Sequence, residues 1–479
     1  MPDALTSIRT HLKTYWGYDR LKSPQAEVIQ AQLDGRDCLV VLPTGFGKSL
    51  CFQLPAVMQG GLTLVVSPLI ALMNAQITDL QQRGLAAAAL HGQLSQTQRR
   101  RVLSQLDRQQ LRLLYASPET LLSPPVWQRL LHPAFIVNGL IVDEAHTLVH
   151  WGSSFRPDYC RLATVRTALQ KSFPIAAFTA TADAATRTTL TSMLQLRDPF
   201  ELKMSPQRSH LSLNIQVAWT IAGRRRQCLH FIRQQRGTSG LVYVRTRATG
   251  RELSQWLTQQ GLSAALYHGG LPAATRRQLE SEWLSGQRSF LVCTNAFGMG
   301  VDLPTVRWVL HYQPPLTLTD YVQEVGRAGR DGKPARALML VSEPTGWLDD
   351  SDRRLHNFFR QQTQQHYQQA TRLLRQLPDS GEYERTVREL GADVKVALAM
   401  LHQARCLSWS DPFHFQIERR PQQLSSASSG DNLSMKIEDL VSARGCRWQH
   451  ILSAFGYADA DACGICDRCR KLKRRSTRT

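Results

Sequence analysis

The sequence predicts an α/β protein: two tandem domains on parallel sheets, then a mainly helical region, then a small cysteine-bearing module. Three observations carry this. Short Val/Ile/Leu-rich runs at 38–42, 62–66, 111–115, 139–142 and 175–179 alternate with helical patterns, and runs this apolar suit strands buried on both faces. After Pro206 the rhythm restarts, at 240–244, 264–267, 289–293, 306–311 and 337–341. From about Glu343 it stops, and four cysteines gather near the end of the chain. The expected boundaries are 1–205, 206–345, 346–430 and 431–479.

Composition narrows the class. A chain of 479 residues has room for about three domains, each with its own core. With 42% hydrophobic and 20% charged residues it reads as globular. No apolar run is long enough to span a membrane, and the N-terminus lacks the basic and apolar segments of a signal peptide, so the cytoplasm is the expected location, at the nucleoid in a bacterium. The formal net charge of +20 points to a polyanionic partner, most often nucleic acid, with a generically basic protein as the plain alternative. Of the ten cysteines, six are scattered singly and read as core residues in a reducing compartment.

In the first domain, the run 38–42 ends at Pro43-Thr44-Gly45-Phe46-Gly47-Lys48-Ser49. A buried strand that stops at a Gly-rich turn leaves backbone N–H groups converging on one point, which suits a phosphate chain. Lys48 would add a point charge for the outer phosphates and the Ser49 hydroxyl would ligate magnesium. The loop departs from the full GxxxxGK[ST] pattern, since Leu42 takes the first Gly slot. The run 139–142 ends at Asp143-Glu144-Ala145-His146. Asp143 would hold the metal and Glu144 would take a proton from the attacking water. Together the two strings imply ATP and magnesium as cofactors.

In the second domain, residues 323–332 read Gln-Glu-Val-Gly-Arg-Ala-Gly-Arg-Asp-Gly. Arg327 and Arg330, spaced by three, are candidates for stabilising charge on a transferring phosphoryl group; a solvated Arg-rich turn is the alternative.

On these motifs the chain resembles superfamily 2 helicases, and among them the RecQ family of ATP-dependent DNA helicases, over about residues 10–345. The resemblance implies two RecA-like domains. It makes Trp16-Gly17-Tyr18, Lys22 and Gln25 an adenine-reading segment, with Leu21-Lys22 where Phe-Arg is usual, and adds His146 and Gln323 to the nucleotide site. It also implies DNA contacts from Ser67-Pro68-Leu69 through Met73, from Ser117-Pro118-Glu119, from Thr179-Ala180-Thr181 as the coupling motif, and from Thr294 within the string 294–302. Directly after the Asp-Glu-Ala-His string, Trp151-Gly-Ser-Ser-Phe155-Arg156-Pro157-Asp158-Tyr159 is similar to the family's aromatic-rich loop. There Trp151 and Phe155 would stack on bases and Arg156 would touch the backbone, core packing of Trp151 being the alternative.

Residues 348–377 are Gln/Arg-rich and helical in pattern. Residues 383–419 suggest a winged helix, with a plain helical spacer as the alternative: one helix through Val387 and Leu390, a turn at Gly391-Ala392, a second helix carrying Val394, Leu398 and Leu401, then two short strands. Gln422–Gly430 has the composition of a flexible linker. Cys446, Cys463, Cys466 and Cys469 have the spacing of a structural zinc site with four thiolate ligands, a redox Cys-x-x-Cys being the rival. The cluster also resembles the RecQ zinc module, but in many members that module precedes the winged helix, whereas here about a hundred residues intervene upstream. A basic tail, 470–475, closes the chain.

The resulting expectation is an ATP- and magnesium-dependent DNA helicase with structural zinc, monomeric, acting on single-stranded and forked duplex DNA. The resemblance implies 3′-to-5′ movement and a role in repair, recombination or replication. A single-stranded DNA-binding protein is a candidate partner. The alternatives are a DNA-stimulated ATPase clamp that does not separate strands, and a DEAH-type RNA helicase.

Overall fold

The computed structural model describes residues 2–149, 157–297, 305–421, 437–458 and 460–476. They form two compact units. The first comprises Met1–Leu42, Phe46–Met204 and Gln362–Leu433, and the second Pro43–Gly45, Ser205–Gln361 and Ser434–Thr479.

The first unit is built on a parallel sheet of seven strands: β1 (Cys38–Val41), β2 (Leu62–Val66), β3 (Ala87–Leu90), β4 (Leu113–Ala116), β5 (Val137–Val142), β6 (Ile175–Thr179) and β7 (Phe200–Lys203), in the order β3-β4-β2-β5-β6-β1-β7. Side chains alternate between two cores, as a strand's two-residue period requires. Leu64, Val66, Leu140, Val142 and Ala177 join the core on one face. Val65, Ile141, Ala176, Phe178 and Val40 join the one on the other. Burial on both sides explains why these runs are continuously apolar.

The second unit repeats the plan with six parallel strands: β8 (Leu211–Ala218), β9 (Ser239–Tyr243), β10 (Leu266–Tyr267), β11 (Phe290–Cys293), β12 (Val306–His311) and β13 (Ala335–Ser342), ordered β10-β11-β9-β12-β13-β8. One face packs on Val242, Val292, Trp308 and Leu310. The core of the other face takes in Ile437, Trp448, Ile451, Cys446, Cys466 and Cys469, so the cysteine module is part of this unit's core.

Each apolar run expected as a strand overlaps one, with ends that differ by up to two residues. Three strands of these sheets were not expected. Ala87–Leu90 is almost all alanine and carries no β signal, while Phe200–Lys203 is a partly exposed edge strand. Leu211–Ala218 has a polar face because the cysteine module satisfies it: the Ser212 hydroxyl donates to Ile465 O (2.8 Å).

Residues 380–417 form a small module with the expected helices, Tyr383–Leu390 and Asp393–Gln403. Its three-stranded antiparallel sheet, β14 (Ser380–Glu382), β15 (Leu407–Asp411) and β16 (His414–Ile417), runs β14-β16-β15. Tyr367 and Ala370, from the last turns of the helix Ser351–Leu373, join its core with Val394, Leu398, Leu401 and Phe415. The first turns of that helix belong to the second unit, where Asp352 receives a two-pronged bond from Arg224 (2.7 and 2.9 Å). Among the described residues, no helix is long and apolar enough to cross a membrane.

Candidate functional site

The Gly-rich loop and the Asp-Glu-Ala-His string follow the carboxyl ends of β1 and β5, the strands on either side of β6, where parallel sheets place their ligands. β1 runs into the loop that ends at Gly47, and the helix Lys48–Met58 follows. Gly45 and Gly47 take φ of +81° and +80°, a region that side chains rarely tolerate. A Cβ on Gly47 would also lie 2.5 Å from Gln25 Nε2. Gln25 uses that closeness. Its amide donates to Phe46 O (2.9 Å) and Gly47 O (3.4 Å), while its Oε1 accepts from the Lys22 N–H (2.8 Å). The segment carrying Lys22 and Gln25 therefore grips the Gly-rich loop from outside.

Lys48 Nζ lies 2.9 Å from Glu144 Oε1 and 3.4 Å from Asp143 Oδ1. Burial acts to lower the lysine's pKa, but the two carboxylates outweigh it and the net shift is upward. Asp143 is raised by burial, against the pull of Lys48. Its backbone N–H donates to Val66 O (2.8 Å), which fixes the end of β5 against β2. Glu144 sits at φ +49°, a left-handed turn that redirects the chain into the short helix Ala145–Leu148. The Ser49 hydroxyl accepts from Gln76 Nε2 (3.1 Å), a partner no sequence motif announced.

His146 Nδ1 is 3.0 Å from Thr179 Oγ1 and 3.5 Å from Glu144 Oε2. Thr179 in turn donates to Thr181 O (3.1 Å) and accepts from the Thr181 N–H (3.3 Å). With the hydroxyl proton committed to Thr181, the bond to His146 requires hydrogen on Nδ1. A buried relay thus joins the Asp-Glu-Ala-His turn to the segment after β6. Ser67 and Pro68 follow β2 and are buried, and the Ser67 hydroxyl is a buried donor with no hydrogen-bond partner among the described residues. Trp151, Phe155 and Arg156 lie outside the described residues, as do residues 298–302 of the string that begins at Thr294.

In the second unit, Thr294 follows β11 and is buried. Gln323 lies on the helix Leu318–Val325, and Arg327 and Arg330 follow it; Arg327 is buried. Beneath them is a charged network that the motifs did not reveal. Glu324 accepts from Arg245 (3.0 and 2.7 Å) and lies 2.7 Å from His311 Nε2. Burial acts to raise Glu324, but Arg245 and His311 outweigh it and hold the carboxyl at about 2. Burial pushes His311 down. Asp320, one turn earlier, is raised to about 6 by burial and by Glu324. The only sequence signal for Arg245 is its place just past the end of β9.

The four cysteine sulfurs lie within 4.8 Å of one another. Cys446 caps the helix Arg447–Ala454, Cys463 and Cys466 lead into the helix Asp467–Ser476, and Cys469 lies in that helix's first turn. Backbone N–H groups point at the sulfurs: Cys463 to Cys446 Sγ (3.2 Å), Cys469 to Cys466 Sγ (3.4 Å) and Arg447 to Cys466 Sγ (3.5 Å). N–H···S bonds stabilise thiolates, and four thiolates at about 2.3 Å from one ion have this separation, so the residues fit tetrahedral zinc. His450 is not in the group. The module is tied to β8 by Trp448 Nε1 to Leu211 O (3.0 Å) and by Arg470 to Asn214 Oδ1. Arg447 locks its two helices together through Asp467 (3.0 and 3.1 Å).

Residues 22–189 match the DEAD/DEAH box helicase family, and residues 223–332 match the helicase conserved C-terminal domain. The fold is similar to that of Dbp5 from S. cerevisiae, bound to RNA and ADP BeF3. That match has a TM-score of 0.60 and covers 73% of this chain and 91% of that one at 17% identity, a likeness of fold alone. Two parallel-sheet domains carrying these strings define a DEAD/DEAH box helicase. Within that class, the chain is 48% identical over 97% of its length to the ATP-dependent DNA helicase RecQ of Synechocystis, covering 98% of that protein. It is 37% identical to RecQ of Haemophilus influenzae over 70% of this chain and 54% of that one. The chain belongs to the RecQ family of ATP-dependent DNA helicases.

Proposed function

We propose that the protein couples ATP hydrolysis to 3′-to-5′ movement on single-stranded DNA and unwinds forked duplexes in repair, recombination or replication. The observation that carries this reading is the buried relay from Lys48 and Glu144 through His146 and Thr179 to Thr181, because it joins hydrolytic residues to the coupling motif. In this reading ATP with magnesium supplies the driving energy. Lys48 binds the outer phosphates, with the N–H groups of Thr44–Gly47 around them; Ser49 and Asp143 hold the metal; Gln25 and Lys22 face the base. Glu144 accepts the proton of the attacking water, and Arg327 and Arg330, with Gln323, offset charge on the transferring group. Ser67, Pro68, Thr179, Thr181, Thr294, Trp151, Phe155 and Arg156 contact DNA, mostly its backbone, so binding tolerates sequence and weakens steeply with salt. Zinc on Cys446, Cys463, Cys466 and Cys469 supplies structure rather than chemistry, since four sulfurs leave no open position. A monomer in the cytoplasm, at the nucleoid, with a single-stranded DNA-binding protein nearby, completes the reading.

The test is unwinding of duplexes carrying a 3′ or a 5′ single-stranded tail, with Lys48→Ala as control. Release from the 3′-tailed duplex alone supports the proposal, and release from the 5′-tailed duplex alone reverses the polarity. One observation favours a second reading, a DNA-stimulated clamp. The tip of the hairpin formed by β15 and β16, which would serve as a strand-splitting pin if the module were a winged helix, packs its Phe413 ring on Trp127 (5.3 Å between centroids). DNA-stimulated ATPase without strand release would establish that reading.

A further inference from the structure

We infer that the module of residues 380–417 is an internal brace of the first unit that positions the Asp-Glu-Ala-His turn, rather than a DNA-reading head or a strand-splitting wedge. A helix-turn-helix reader presents its second helix to the groove. Here that helix, Asp393–Gln403, is used up inside the protein: Val394, Ala397, Leu398, Ala399, Met400 and Leu401 are all buried. Ala399 lies in the same core as Leu148, Val149 and Tyr159. The wing is spent in the same way. Phe413 at its tip meets Trp127 edge-on, and Pro412 O accepts from Arg161 Nη1 (3.2 Å). The middle of the second helix and the tip of the wing are thus taken up inside the first unit, and what the wing leaves exposed, Ser408, Ser410, His414 and Gln416, carries no lysine or arginine.

What the module does hold is specific. Gln403 Nε2 donates to Leu148 O (2.7 Å), and Leu148 ends the short helix that begins directly after Glu144. Tyr383 Oη donates to Asp158 Oδ1 (2.7 Å). The same carboxylate accepts from Arg161 (2.5 Å), whose guanidinium lies 3.9 Å from the centre of the Tyr383 ring. Arg161 is 1% exposed, so its charge is supported almost wholly by Asp158, Pro412 O and that ring. The module therefore grips the chain at Leu148, two residues past His146, and again at Asp158 and Arg161. The turn carrying Glu144 and His146 is anchored on one side by the relay to Thr179 and on the other by Gln403. Glu144 depends on both, because its left-handed backbone must be held from outside.

Two conservative variants test this, Gln403→Met and Tyr383→Phe, each keeping shape while deleting one bond. The readouts are kcat and KM for ATP with and without a single-stranded oligonucleotide, the oligonucleotide's Kd, and Tm. The expected result for Gln403→Met is a kcat at least about fivefold lower, with KM and DNA Kd within twofold. Tyr383→Phe should lower DNA-stimulated kcat more than basal kcat. The exposed pair Arg385→Ala/Arg388→Ala, on the module's outer helix, should leave DNA Kd within twofold. A Tm loss with kcat unchanged in both conservative variants would reduce the module to packing and overturn the inference. So would a DNA Kd weakened tenfold by the arginine pair, which would make it a DNA reader. These readouts follow hydrolysis, so an enzyme that fails to unwind duplexes would still decide them.

Discussion

His146 Nδ1 and the Thr179 hydroxyl lie 3.0 Å apart with both residues buried, and this bond links the Asp-Glu-Ala-His turn to the end of β6. Thr179→Val deletes the hydroxyl at nearly constant volume and removes this bond to His146 Nδ1. Losing such a bond costs about 1–3 kcal/mol, roughly 10–100-fold if the cost falls on the transition state. DNA-stimulated kcat should fall by that amount with ATP affinity held within threefold. Equal losses in kcat and nucleotide binding would assign Thr179 to packing.

Lys48 places one cation against two acids, Asp143 and Glu144. Lys48→Ala should abolish hydrolysis and also lower Tm, because it leaves carboxylates buried without their cation. Glu144→Gln should behave differently. Nucleotide should still bind, while kcat falls by about 10²–10⁴, the usual range for a general base. Normal turnover in Glu144→Gln would remove it from that role.

The carboxyl of Asp320 is raised to about 6 by burial and by Glu324, against about 3.9 in an unfolded chain. A raised folded pKa means stability present below pH 4 and lost as pH climbs to 6. Asp320→Asn removes that charge, so the variant should match the wild type near pH 4 and exceed it at pH 7.5 by about 1–3 kcal/mol. Thermal unfolding at several pH values checks the difference. A constant offset would mean that Asp320 stays ionised throughout.

Cys466 receives N–H bonds from both Arg447 and Cys469, which makes it central to the cluster. Cys466→Ser should lower zinc content and the yield of folded protein together, since metal binding and local folding are one event. Elemental analysis of the purified full chain gives the readout; less than about 0.2 zinc per chain in the unaltered protein would dismiss the ion.

What could be read from residue order was whatever physics writes locally. The doubly buried strands announce themselves as Cys38–Leu42 or Phe290–Cys293, and the cysteines at 446, 463, 466 and 469 by spacing. Ala87–Leu90 was silent because alanine fills a tight strand without favouring one. Arg245, Glu324 and His311 were missed because they come from three separate elements and meet only after folding. Gln76 on Ser49 was invisible for the same reason. The module of 380–417 was legible as two helices and a hairpin, but not its docking on Leu148 and Asp158, which no periodicity encodes.

β8 is the last strand of its sheet, and the cysteine module closes the start of its outer side, through Trp448 on Leu211 O and Ser212 on Ile465 O, while Gln227 bonds Val217 O near its end. Stripping the ion would therefore do more than loosen a terminus. It would bare the start of an edge strand, whose peptide groups could pair with a passing chain. Chelator-treated protein should then scatter light and sediment as clumps before its sheets melt, in which case an ion on the four sulfurs would guard solubility as much as shape.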